Sequence, residues 1–248
     1  MTHGPQRSRV PDGAPALVTG ASSGIGEAIA RRLAGRASPL VVTGRDPGRL
    51  DAVAGATGAH GVVADLTTTA GRAAVVAACG AHGVGLVVHA AGVGAAGPFS
   101  GVDPDTVDAV LAADLVAPVQ LTRALWPDVV RARGHVVFVA SIAALGVAGE
   151  ATYSAAKAGL RTFADALRLE EPDVGVTTVL PGVVDTPFLA RRGYDRSVPR
   201  PVSADRVAAA TLRAVERGRA EVFVPRWLQV ASVVQGAAPA VFRWASPS

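Results

Sequence analysis

The sequence predicts an α/β protein: a doubly wound, parallel, seven-stranded sheet with helices on both faces. Short Val-rich runs alternate with longer amphipathic stretches along most of the chain. Each run is too uniformly apolar to keep one face in water, the pattern of a parallel sheet covered on both sides. A length of 248 residues, 50 % of them hydrophobic, suffices for one large core in one domain.

Residues 1–13 are polar, with Gly and Pro, and are expected to form a disordered lead-in. "PALVTG" then reads as the first strand, with a helix over 24–35, and "PLVVTG" as the second, with a helix over 47–56. "GVVAD" with 68–79, "GLVVHAAG" with 104–125 and "GHVVFVAS" with 151–171 repeat the alternation. "VGVTTVLPG", a helix over 203–217 and "AEVFVP" complete it. Residues 14–225 are expected to form one domain, with 186–202 as a loop insertion toward the substrate. Residues 226–248 form an apolar tail holding Trp227 and Trp244, interrupted by Gly236 and Pro239. It is expected to cover the substrate pocket or pack in an oligomer rather than lie on a membrane surface.

The formal charge is +4, and 23 of the 24 basic residues are arginine. They are scattered, with pairs at Arg31/Arg32 and Arg191/Arg192, so a solvated basic surface is expected and not a nucleic-acid partner. The single cysteine, Cys79, excludes an intramolecular disulfide and a multi-cysteine metal site, and reads as a core thiol; no metal is expected. The N-terminus has no apolar signal region and no uninterrupted apolar run reaches a membrane span, so a cytoplasmic protein is expected.

The first strand runs into "TGASSGIGEAIARRL", which places Gly20, Gly24 and Gly26 where strand turns into helix. Glycine there permits a tight turn and removes the Cβ that would block a pyrophosphate. It also lets the free N–H groups of the helix face the phosphate charge. The spacing is Gly-x-x-x-Gly-x-Gly, not the commoner GxGxxG. After the second strand Gly44 stands where an acid would accept bonds from a ribose 2′-OH, and Arg45 follows. A guanidinium beside a small residue suits a 2′-phosphate and favours NADP(H), the plainer alternative being one more surface arginine. Asp65 and the Leu66 backbone end the third strand toward the adenine, and "HAAG" (His89 to Gly92) ends the fourth, with His89 read as structural.

Reacting groups belong beyond the carboxyl ends of such strands. Ser141 ends the fifth strand, Tyr153 lies twelve residues later, and Lys157, the only lysine in the chain, sits one helical turn beyond. A phenol of pKa about 10 is a poor proton carrier at neutral pH, and a nearby ammonium with an oxidised nicotinamide lowers that value. Tyr-x-x-x-Lys is also a common helix-surface pair. Its coincidence with a phosphate-binding turn and a strand-terminal serine is what gives it meaning.

"TGASSGIG", "ADL", "AAG", the Ser141, Tyr153 and Lys157 set within "YSAAK", and "PGVVDT" together resemble the short-chain dehydrogenase/reductase family over residues 14–225. The resemblance implies a Rossmann-type three-layer sandwich that binds a nicotinamide dinucleotide and forms a homodimer or homotetramer. It implies Tyr153 as general acid or base, Ser141 as hydrogen-bond partner of the substrate oxygen, and Lys157 as holder of the ribose. Cofactor contacts are implied for Gly20, Ser22, Ser23, Gly24, Ile25, Gly26, Arg45, Asp65, Leu66, Ala91 and Gly92, besides Tyr153 and Lys157. Pro181, Gly182, Val184 and Thr186 are implied at the nicotinamide carboxamide.

The chain departs from the family pattern in three places. Asp114 replaces the usual asparagine whose backbone carbonyl positions a water in the proton relay, and an ionised carboxylate there is expected to tune the lysine. The serine-to-tyrosine spacing is one short of the commonest, and "NNAG" reads "HAAG". An apolar substrate pocket is expected from Leu145, Val147, Phe188, Leu189 and Tyr194, with Arg191 and Arg192 as surface charges or as contacts to an anionic carrier group. The expected function is an NADP(H)-dependent ketoreductase acting on a hydrophobic ketone, aldehyde or 3-oxoacyl compound. The alternatives are an alcohol dehydrogenase working oxidatively and a nucleotide-binding redox sensor without turnover.

Overall fold

The computed structural model describes residues 12–191 and 200–245. Its main sheet contains β1 (Ala16–Thr19), β2 (Leu40–Gly44), β3 (His60–Val63), β4 (Leu86–His89), β5 (His135–Val139) and β6 (Gly175–Pro181). Two short strands, β7 (Val184–Asp185) and β8 (Val202–Ser203), pair beside it, and β9 (Glu221–Val224) closes the edge. The seven strands run parallel in the order β3-β2-β1-β4-β5-β6-β9. The chain winds from β1 outward through β2 to β3 and then crosses back to place β4 on the other side of β1, and this reversal opens a crevice beyond the carboxyl ends of β1 and β4.

The helices are α1 (Gly24–Leu33), α2 (Pro47–Thr57), α3 (Thr69–Cys79), α4 (Pro104–Leu111), α5 (Ala117–Arg131), α6 (Ala151–Glu170), α7 (Pro187–Arg191), α8 (Ala204–Glu216), α9 (Leu228–Ala237) and α10 (Pro239–Ala245). Local chemistry starts several of them: the Asp46 carboxylate accepts from the Arg49 N–H, Thr68 Oγ1 from Gly71, and Ser203 Oγ from Arg206.

Alternation along each strand divides the core into two layers. On one face Val18, Val42, Val88, Val137 and Val179 pack with Ile29 of α1, Leu50 of α2 and Val207 and Leu212 of α8. On the other, Leu17, Val41, Val87, Val136 and Phe138 pack with Val75 of α3, Leu121 and Leu125 of α5 and Leu160 of α6. Each such fully buried side chain stabilises the fold by about 1.5–3 kcal/mol relative to an exposed one. Cys79 lies in this second layer as expected, and burial pushes its thiol up to about 11. His89 is also structural: its Nε2 meets Thr122 Oγ1 at 2.9 Å, its ring stacks on Phe138, and burial holds it down at about 3.

The helical run 104–131 is longer than expected and contains a π-helical turn at Ala112–Val116 between α4 and α5. Its length and apolar composition would suffice to cross a bilayer, yet Leu121, Leu125 and Val129 are buried in the core. The 186–202 insertion is clamped at its base by the β7–β8 pairing, Val184 with Val202 and Asp185 with Ser203. The tail forms α9 and α10, broken between Ala237 and Pro239. Leu228 docks α9 against Leu180 and Phe223, while Trp227, Val230 and Val233 stay exposed. Most of the expected lead-in, Arg192 and Tyr194 lie outside the described residues.

Candidate active site

A cleft of about 370 Å³ opens at the carboxyl ends of β1, β2, β4, β5 and β6. Its nucleotide end is built on close backbone approach. Gly20 has φ of 65°, and a Cβ there would fall 2.6 Å from the Ala91 backbone. Thr19 Oγ1 accepts the N–H bonds of Ala90 and Ala91, both at 3.1 Å, and ties the end of β1 to the loop after β4. At Gly24, φ is 61° and a Cβ would press on Thr186 Cγ2 at 3.1 Å. The glycine turn and the "PGVVDT" segment therefore meet across the cleft. Ser23 precedes α1 without capping it through its side chain, which leaves first-turn N–H groups for an anionic group.

At the end of β2, Ser22 packs so tightly on Gly44 that a Cβ would lie 2.8 Å from its Oγ. Arg45 lines the cleft beside it. Thr43 Oγ1, also at the cleft, is buried and has no hydrogen-bond partner among the described residues. Asp65 accepts from the N–H and the hydroxyl of Thr67 at 2.9 and 2.8 Å. These bonds, with the charge of Arg45, hold its carboxyl below its usual range.

At the other end Ser141 follows β5, and its Oγ accepts the Ala143 N–H at 3.1 Å, capping a short 3-10 turn at Ile142–Leu145. That hydroxyl keeps its proton to donate. Gly146 and Gly149, with φ of 91° and 72°, then turn the chain into α6, which accommodates the shortened serine-to-tyrosine spacing. Tyr153 and Lys157 lie on one face of α6, 6 % and 4 % exposed. The Lys157 ammonium donates to the Val139 carbonyl at 3.1 Å and stands 5.5 Å from the Tyr153 ring centroid.

Asp114 sits in the π-helical turn, 1 % exposed. Its Oδ2 accepts the Val93 N–H at 3.0 Å, and its Oδ1 lies 2.8 Å from the Lys157 ammonium. The Oδ1 contact is an ion pair without the alignment of a hydrogen bond. A Cβ on Gly92 would fall 2.4 Å from the same Oδ1, so glycine makes room for the carboxylate.

The cleft brings together Gly20, Ser22, Ser23, Gly24, Ile25, Arg45, Asp65, Leu66, Ala91, Gly92, Asp114, Ser141, Tyr153, Lys157, Pro181, Gly182, Val184 and Thr186. Gly26 stands behind it: a Cβ there would lie 2.4 Å from the Gly20 carbonyl, so it serves the packing of α1 on the turn. Val147, Phe188 and Leu189 line the cleft as expected, but Leu145 is buried away from it, because the 3-10 turn directs Ile142 and Ala143 there instead. Glu150, 5 % exposed at the start of α6, lines the cleft and was not anticipated; its signal was a carboxylate three residues before Tyr153.

A glycine turn under a doubly wound sheet, with a hydroxyl, a phenol and an ammonium at one strand end, defines an α/β oxidoreductase. The chain belongs to the short chain dehydrogenase family, whose model matches residues 14–197. It is 34 % identical over 87 % of its length to an uncharacterized oxidoreductase of Myxococcus xanthus, covering 88 % of that protein. It is 32 % identical over 86 % of its length to the ketoacyl reductase HetN of a Nostoc species, covering 78 % of it. A short-chain dehydrogenase from Sphingobium yanoikuyae in complex with NADPH superposes with a TM-score of 0.80 at 29 % identity, covering 90 % of this chain and 94 % of the other. A family member from Burkholderia phymatum in complex with NAD shares the fold, with a TM-score of 0.82 at 22 % identity over 93 % and 95 % of the two chains.

Proposed function

We propose that the protein is an NADPH-dependent ketoreductase that reduces a hydrophobic ketone, aldehyde or 3-oxoacyl compound. The observation that carries this is the convergence of Ser141, Tyr153 and Lys157 on the cleft that also holds the glycine turn. Similarity to a ketoacyl reductase and to an NADPH complex supports the substrate class and the cofactor.

The residues present fit the dinucleotide. The glycine turn forms a cradle that Cβ atoms would fill, and Thr43, whose buried hydroxyl has no hydrogen-bond partner among the described residues, lines the cleft. Gly20, Ser22, Ser23, Gly24 and Ile25 would take the diphosphate, and Arg45 a ribose 2′-phosphate with paired, charge-assisted hydrogen bonds. Asp65 and Leu66 would border the adenine; Ala91 and Gly92 would border the ribose side. Pro181, Gly182, Val184 and Thr186 would hold the carboxamide. When bound, the reduced nicotinamide supplies the hydride.

Ser141 donates a hydrogen bond to the substrate carbonyl oxygen and orients it, keeping its proton. Tyr153 passes its phenolic proton to that oxygen as charge develops there. Lys157 holds the ribose, and its ammonium, offset in part by Asp114, eases proton loss from Tyr153. Val93, Ile142, Val147, Phe188 and Leu189 offer the apolar wall for the substrate. We further read 14–225 as one domain with a substrate loop over 186–202, and the protein as a cytoplasmic homodimer or homotetramer. The test is NADPH consumption with a panel of apolar ketones and 3-oxoacyl thioesters. Turnover by at least one of them is expected, and tight NADPH binding with no turnover on any would favour the redox-sensor alternative.

A further inference from the structure

We propose that Asp114 is a positioning residue that neutralises Lys157 electrostatically and so keeps Tyr153 in its phenol form, poising the site to donate a proton rather than to accept one. This rests on the assignment of Tyr153 as the proton-transferring group. The geometry bounds the effect. With 2.8 Å from Asp114 Oδ1 to the ammonium and 5.5 Å from the ammonium to the Tyr153 centroid, Oδ1 lies within about 8.3 Å of that ring. At one dielectric, the carboxylate, its charge shared by two oxygens about 2.2 Å apart, cancels more than about half of the ammonium's potential at the ring. Both charged side chains are almost fully excluded from solvent, so counter-ions screen the pair little.

Among the described residues that line this end of the cleft, Lys157 is the one cation. Tyr153 shares an apolar cluster with Val110 of α4, Ala143 of the 3-10 turn and Ala156 of its own helix, against which Val93, Ala95, Leu111, Leu115, Val147 and Phe188 pack. Among the described residues, Glu150 adds a second carboxylate to the lining at this end of the cleft. Arg45, Asp46, Arg49 and Asp65 line the nucleotide end. An asparagine at 114 would keep the bond from the Val93 N–H and remove the carboxylate's charge from beside Lys157.

Tyr153 and Tyr194 are the only tyrosines in the chain. In a Tyr194→Phe background, the ultraviolet absorbance of tyrosinate titrates Tyr153 directly, with no cofactor or substrate. Asp114→Asn in that background is expected to lower the midpoint by about one pH unit or more. Asp114→Ser replaces it should the amide variant fail to fold by circular dichroism. Glu150→Gln, as a comparison, is expected to move the midpoint less than Asp114→Asn does. An unchanged or raised midpoint in the folded Asp114 variant overturns the proposal. The pH profile of alcohol oxidation should shift in the same direction. Failure of the proton-donor assignment shows separately, as retained turnover in Tyr153→Phe.

Discussion

Asp114 Oδ1 and the Lys157 ammonium stand 2.8 Å apart between the π-helical turn and α6, and the same oxygen occupies the space a Cβ on Gly92 would need, 2.4 Å away. Three segments far apart in sequence are thus fitted around one carboxylate. Removing one partner of such a buried pair leaves an uncompensated charge and costs several kcal/mol.

Gly92→Ala should therefore push Asp114 off Lys157 by steric force alone. We expect a loss of about 1–3 kcal/mol in stability by denaturant titration, the range for overpacking a tight core site. A fall in turnover should accompany it.

Lys157→Arg preserves the formal charge but not the shape. A planar guanidinium does not fit a pocket in which one compact ammonium meets both Asp114 and the Val139 carbonyl. The variant should fold by circular dichroism yet lose most of its turnover. Near-parental kcat would show that the single lysine has no special role.

Arg45→Ala should reduce the preference for NADPH over NADH by about ten- to a hundredfold, the worth of hydrogen bonds to a charged group. The measurement is the ratio of kcat/KM for the two cofactors. An unchanged ratio would remove Arg45 from the cofactor assignment.

His89 and His135 are buried and held at about 3, chiefly by desolvation. Their folded values lie below the unfolded one, so the unfolded chain binds more protons as pH falls. The stability they contribute is present above pH of about 6.5 and is lost progressively toward pH of about 3. Each histidine should add about 1 kcal/mol per pH unit to the acid-side slope of stability. His135→Gln, which can still bond Thr177 Oγ1, should flatten that slope.

Much of this was legible in the chain because buried parallel strands write themselves as uninterrupted apolar runs: "LVVT" in β2 and "HVVFV" in β5 face helices on both sides. The glycine turn and the Ser141, Tyr153 and Lys157 set were legible for a similar reason, since strand ends and one-turn spacing place them. The π-helical turn was not, because "AADLV" continues the apolar pattern of the helices around it. The resemblance brought Asp114 near Lys157, but their direct 2.8 Å ion pair was not legible, since it spans 43 residues and depends on where that turn points the carboxylate. Leu145 was misplaced because a 3-10 turn rotates its residues differently from an extended loop.

The most direct measurement is NADPH consumption by the parent and by Tyr153→Phe with one accepted ketone, alongside NADPH affinity by fluorescence. Loss of the phenolic proton should lower kcat by about 10²- to 10⁴-fold, as expected for removal of a general acid, with NADPH affinity nearly unchanged. Turnover in Tyr153→Phe within a few-fold of the parent would contradict the assignment of Tyr153 as proton donor.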